Sequence, residues 1–141
     1  MSEHQKMINF INATKCFDSY NGIVLTKLKE NYAECKTDLT SDSLNSAGGV
    51  AGGLVFSICD FIASYAVFAA SAYGEVPCDD KPIVTQSANI SFLRAPTTGG
   101  SLRGVGVPVK IGRTIAVVEA TVYDERDRLI AKGSFTFVFT E

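Results

Sequence analysis

The chain has 141 residues, 46% hydrophobic and 20% charged, with a formal net charge of −2. That length suits one domain with a real core, and the absence of a basic stripe excludes the usual nucleic-acid binder. Cys16, Cys35, Cys59 and Cys78 form no C-x-x-C pair and His4 is the only histidine, so no zinc or other metal site is expected, and reduced thiols in a cytoplasmic protein are.

The first eighteen residues lack the continuous apolar core of a secretory signal. Met7, Ile8 and Ile11 instead space out a weak amphipathic helix over residues 3–15, with Phe17 as its possible extension. Asn12-Ala-Thr14 and Asn89-Ile-Ser91 fit the glycosylation pattern, which means little without a signal. Two strand-like pieces follow, GIVLTKLK and YAECKTDL, joined as a hairpin around Glu30-Asn31. Ser41 to Gly49 reads as a polar loop. A long helix is expected from near Gly52 to about Tyr73, stopped by Gly74 and Pro77.

After that the texture turns to β. IVTQSANISFL alternates Val84, Gln86, Ala88, Ile90 and Phe92 against Thr85, Ser87, Asn89, Ser91 and Leu93. SLRGVGVPVKI and TIAVVEATVYD flank the turn Gly112-Arg113, and LIAKGSFTFVF follows the turn Glu125–Arg128. Pro108 points to an edge or a bulge in its strand. Hairpin connections make the sheet antiparallel. A single helix this apolar needs cover nearly all round, so residues 1–141 are expected to form one α+β domain, a curved sheet wrapped around one central helix. The run from Val50 to Tyr73 is almost long enough for a membrane span, and Gly49 and Gly53 make a G-x-x-x-G. Asp60 at its middle, costing about 2.5–3.5 kcal/mol in a bilayer, argues instead for a protein core.

Asp60 is the only charge between Ser43 and Gly74, and an acid in such a run is costly unless the fold uses it. Gly53, Ser57, Asp60, Ser64 and Ser71 make a small polar seam on the helix, interrupted by Val67. Desolvation in that seam is expected to raise the pKa of Asp60 and make it a better base; a structural acid bonded to backbone or serine hydroxyls is the other reading. Gly52 and Gly53 open the helix with unobstructed N–H groups that can hold an anion or a developing oxyanion. Glycines there also serve tight turns, and the spacing matches no nucleotide-phosphate motif. Asp60 lies about 10–12 Å along the axis from the glycines, so one helix serves a single carbonyl poorly. Two antiparallel copies would bring one acid near the other's glycines, and a dimer is expected.

Asn45-x-x-Gly48-x-x-Ala51-Gly52-Gly53 followed by Asp60, with NISFLRAP, KIGRTIAVVEATVYD and RLIAKGSFTF, resembles the hotdog-fold acyl-CoA thioesterases of the PaaI type over nearly the whole chain. The resemblance implies that Asp60 is general base or nucleophile toward the thioester carbonyl and that backbone N–H groups at Gly52 and Gly53 of the partner subunit polarise it. Asn45 would position water or substrate, and Thr85 would sit beside the reaction centre. Phe92 to Thr97, including Arg94 and Pro96, with Lys110, Gly112 and Arg113, would line the CoA path; Lys110 and Arg113 also make sense as phosphate partners or as a solvated turn. No cofactor is implied beyond the CoA of the substrate, no membrane and no nucleic acid, and the assembly would be a homodimer or homotetramer. The family has His where this chain has Ala51. Losing such a group where it acts as an oxyanion donor costs roughly 10²–10³ in rate. The alternative is therefore a weak or inactive protein that still binds acyl-CoA; a purely structural assembly protein is a third class, and a hydratase would need the missing histidine.

Overall fold

The computed structural model describes residues 1–71 and 82–140. In chain order they form helix α1 (Glu3–Ala13), a single helical turn α2 (Phe17–Tyr20), strands β1 (Ile23–Lys29) and β2 (Tyr32–Asp38), a 3-10 turn at Ser41–Ser43, the long helix α3 (Gly52–Ser71), and strands β3 (Ile83–Phe92), β4 (Ser101–Ile111), β5 (Ile115–Asp124) and β6 (Leu129–Phe139). The expected stop at Gly74 and Pro77 lies outside the described residues. The N-terminal helix ends sooner than its periodicity suggests. Thr14 turns its hydroxyl back to the Phe10 carbonyl at 2.8 Å, and the Cys16 N–H donates to the Ser19 hydroxyl at 2.9 Å, so Phe17 starts a second turn.

The six strands make one antiparallel sheet in the order β1-β2-β4-β5-β6-β3. Its inner face presents Leu25, Ala33, Cys35, Leu102, Val118, Val122, Phe135 and Phe137, all buried against α3. From the helix, Val55, Ile58, Ile62, Ala63, Ala66 and Val67 answer them. Each large aliphatic or aromatic side chain buried this way contributes about 1.5–3 kcal/mol. Gly104 and Gly106 of β4 let the helix come close: a Cβ on Gly106 would stand 2.5 Å from the Ile62 carbonyl oxygen, and one on Gly104 would stand 2.8 Å from Cys35 Sγ and Ile58 Cγ2. The helix from Gly52 to Ala70 is long and apolar enough to cross a membrane, and here it is the core of the fold. This is the hotdog arrangement that the resemblance implies.

Pro108 sits at a bulge, on a stretch of β4 that β2 does not reach. The β4–β5 register slips between Pro108 and Lys110, just beyond the last residue paired to β2. The true edges are β1 and β3. Against β1 lies α1, whose Asn12 donates its Nδ2 to the Leu25 carbonyl at 2.8 Å and accepts the Leu25 N–H at 2.9 Å. Beyond β3 no strand follows among the described residues, and Val84, Thr85, Ser87, Ala88 and Phe92 are exposed.

Candidate active site

The loop before α3 is organised by Asn45. Its backbone N–H donates to the Gly49 carbonyl at 2.8 Å, and its Oδ1 accepts from the N–H groups of Ala47 at 2.9 Å and Gly49 at 3.2 Å. Gly48 sits at φ +85°, a conformation L side chains rarely adopt. Asn45 thus holds the loop with its carbonyl end, while its Nδ2 has no acceptor among the described residues.

Ala51 closes this loop, its N–H donating to the Ser43 carbonyl and its own carbonyl accepting from Leu54 and Val55. A methyl at the entry to a helix offers no cap. The N–H groups of Gly52 and Gly53 accordingly meet no acceptor among the described residues. Both glycines are exposed, and a Cβ on Gly53 would meet nothing within 4 Å. Open donors at the positive end of a helix suit an oxyanion.

Asp60 lies two turns on and is half-exposed. Its neighbours Ile58, Cys59, Phe61 and Ile62 are buried in the core, while the acid itself keeps access to solvent. Ser57 and Ser64 do not bond it: their hydroxyls donate to the carbonyls of Gly53 at 2.7 Å and Phe61 at 2.8 Å. Its partner is Thr85, whose hydroxyl donates to Asp60 Oδ1 at 2.6 Å. Simple alternation groups Thr85 with Ser87 and Asn89. A bulge between Thr85 and Ser87 changes that: Thr85 pairs with inward-facing Phe137, whereas Ser87 pairs with outward-facing Thr136. The extra residue puts Thr85 on the helix side, with Ala88, Ile90 and Phe92.

At the other end of β3, Phe92 touches Gly52, its Cε1 3.9 Å from where a Cβ would be. A groove of about 440 Å³ opens there, lined by Gly49, Gly52, Phe92, Leu93, Arg94 and Pro96 among others. Lys110, Gly112 and Arg113 are elsewhere. Lys110 lies near the end of β4 and Gly112 and Arg113 form the β4–β5 turn, at the end of the sheet where Ile115 pairs with Val138 and Val138 with Val84. Gly112 closes that turn, donating its N–H to the Ile115 carbonyl at 2.8 Å. Seven residues of strand, about 20 Å, separate Thr85 from Phe92. One chain therefore carries two half-sites: Asp60 and Thr85 toward the β4–β5 turn, and the glycine donors with the groove toward Arg94.

Asp18 is a neighbour that the sequence gives no sign of. It sits on α2, half-buried, and its Oδ2 accepts from Cys16 Sγ at 3.9 Å. Burial, and then the charge of Asp60, push its carboxyl above the ordinary range.

Known proteins place this geometry. The family described as the thioesterase superfamily matches residues 47–131, which span the glycines, Asp60, Thr85 and the groove. The chain belongs to that superfamily. A Mycobacterium tuberculosis protein named as a candidate esterase is 31% identical to this superfamily member over 124 residues, covering 87% of this chain and 85% of the relative. A Streptococcus mutans protein solved bound to acetyl CoA is 25% identical, with TM-score 0.76, covering 91% of this chain and 94% of that one. The Escherichia coli PaaI protein shares the fold at 20% identity and TM-score 0.73, over 86% of each chain.

Proposed function

We propose that this thioesterase-superfamily protein hydrolyses acyl-CoA thioesters to the free acid and CoA, as a homodimer or a tetramer of two dimers in the cytoplasm. The observation that carries the reading is the 2.6 Å bond from Thr85 to Asp60 Oδ1. It orients the carboxylate and leaves Oδ2 free to take a proton from water. The water oxygen then attacks the thioester carbonyl, or Asp60 itself attacks and the resulting anhydride is hydrolysed. In either course negative charge gathers on the carbonyl oxygen, the C–S bond breaks, and the thiolate of CoA leaves and is protonated.

The donors for that oxygen come from the second protomer in this reading. Within one chain Gly52 and Asp60 are about 12 Å apart along the helix. An antiparallel pairing of β3 with its copy brings Asp60 and Thr85 toward the partner subunit's Gly52 and Gly53. It also brings Lys110 and Arg113 toward the partner's groove, so that two separated cation sets could meet one CoA. The ten-residue open edge of β3 supports such a pairing. Asn45 acts through the loop, keeping the donors in place, with its Nδ2 turned to water or substrate.

Thiol release over a panel of acyl-CoA esters tests the proposal. Asp60→Asn should reduce kcat about 10²–10⁴-fold with the fold intact, and an unchanged rate overturns it. Ala51 favours a second reading, an acyl-CoA-binding protein with little turnover. Tight binding without thiol release would establish that reading. Under the first, Ala51→His should raise the rate.

A further inference from the structure

A second cavity lies beside Asp60. It is small, about 110 Å³, and lies partly open between α1, α2, the start of β1 and α3. Phe61 and Tyr65 form one wall, Ile23 and the rim residue Phe10 another, and Cys16 and Asp18 the floor. Phe61 and Tyr65 rings stand 4.7 Å apart. Phe61 follows Asp60 on the helix, and Asp18 in the pocket is near enough to Asp60 to feel its charge.

Its volume is that of about four water molecules at roughly 30 Å³ each. That admits a group of a few heavy atoms and stops a long alkyl chain. The lining is mostly aromatic and aliphatic, and its two hydroxyls are spent on main chain, Thr14 donating to the Phe10 carbonyl and Ser19 to the Cys16 carbonyl, which leaves Asp18 as the carboxylate among them. A carboxylate accepts up to four hydrogen bonds, and the bond given to Asp18 among the described residues comes from a thiol, a weak donor, at 3.9 Å. A half-buried acceptor with unused capacity, in a pocket shaped for a small organic group, is built to meet a donor. A hydroxyl meets it at lower desolvation cost than an ammonium among rings.

We propose that this pocket receives the far end of a short acyl group and that Asp18 selects acyl groups carrying a hydroxyl there. The inference rests on the acyl-CoA reading of Asp60 and names its substrate class: compact hydroxyacyl thioesters. Asp18 is a specificity residue in this scheme, and the chemistry at the carbonyl does not pass through it.

The test compares butyryl-CoA with 3- and 4-hydroxybutyryl-CoA, with acetyl-CoA and lauroyl-CoA as short and long references. Wild type should favour one hydroxyacyl ester over butyryl-CoA about tenfold in kcat/KM, as for a hydrogen bond to a charged group, and should turn over lauroyl-CoA poorly. Asp18→Asn should erase the hydroxyl preference while acetyl-CoA turnover persists. Cys16→Leu, which fills the floor, should depress both four-carbon esters and spare acetyl-CoA. The same esters are titrated calorimetrically onto Asp60→Asn and onto its double variant with Asp18→Asn. A hydroxyl preference in affinity that vanishes in the double variant supports the pocket even if wild type hydrolyses nothing, in which case only the hydrolytic reading falls. Hydrolysis with equal rates for hydroxylated and plain esters, or a preference that Asp18→Asn leaves unchanged, overturns the pocket and spares the reading. If no ester binds, both fall.

Discussion

The two edges of the sheet have been treated in opposite ways. On β1 the chain doubles back, lays α1 along the strand, and has one asparagine satisfy both the N–H and the C=O of Leu25. On β3 nothing follows among the described residues: ten residues run along the margin, and both faces of much of the strand are exposed. A sealed edge is what a protein needs to avoid unwanted strand pairing, and an open one is a template for it. The open edge is also the one bearing Thr85 and Phe92, which reach the acid and the glycine donors respectively. In the proposed dimer, catalytic layout and assembly therefore meet on the same strand, while the opposite margin serves stability.

That contrast can be broken most severely at β3. Ser87→Lys with Asn89→Lys would set like charges against their copies on a facing strand. The expected result is a monomer in sedimentation and a loss of about 10²–10³ in thiol release, the cost of missing oxyanion donors; a fully active monomer would sink the shared site. Thr85→Val is milder. It removes the bond that orients Asp60, and kcat should fall about tenfold with the assembly unchanged. At the other margin, Asn12→Ala should leave turnover untouched and cost about 1–3 kcal/mol of stability, seen as a lower urea midpoint at constant slope.

The smallest effect concerns Asp18, on the β1 side. Its folded pKa is raised, first by burial and then by Asp60, so its ionisation opposes folding above that pKa. The opposition fades as pH falls through the ordinary carboxylate range, where both states become protonated. Asp18→Asn should therefore raise the denaturation midpoint at neutral pH, and the gain should disappear below about pH 4.

Much of this was legible in the residues. Strands 101–111 and 129–139 match their expected bounds because turn chemistry fixes both flanks: Gly112 closes one turn, and Asp124 Oδ1 accepts from the N–H groups of Arg126 and Arg128 in the other. The glycine-opened helix with a solitary acid was equally plain. Three things were not. The face of Thr85 depends on a bulge, which is a choice of register with β6 and leaves no mark in the alternation of β3 itself. The cations at 110 and 113 and the groove at 92–96 looked like one path in sequence, yet β-strand length sets them at opposite ends of the sheet. Asp18 comes near Asp60 only because the sheet curls round the helix, bringing the β1 side of the domain to the acid.

The glycines of β4 have one more consequence. Ile58 and Ile62 of α3 meet Gly104 and Gly106, and Asp60, two residues from each, reaches Thr85 of β3. At Gly106 the strand rests directly against the Ile62 carbonyl, so the height of the helix above the sheet is gauged there by main chain on main chain. A methyl group added at position 106 would act as a shim, lifting the acid away from Thr85 without altering any residue that either of them touches.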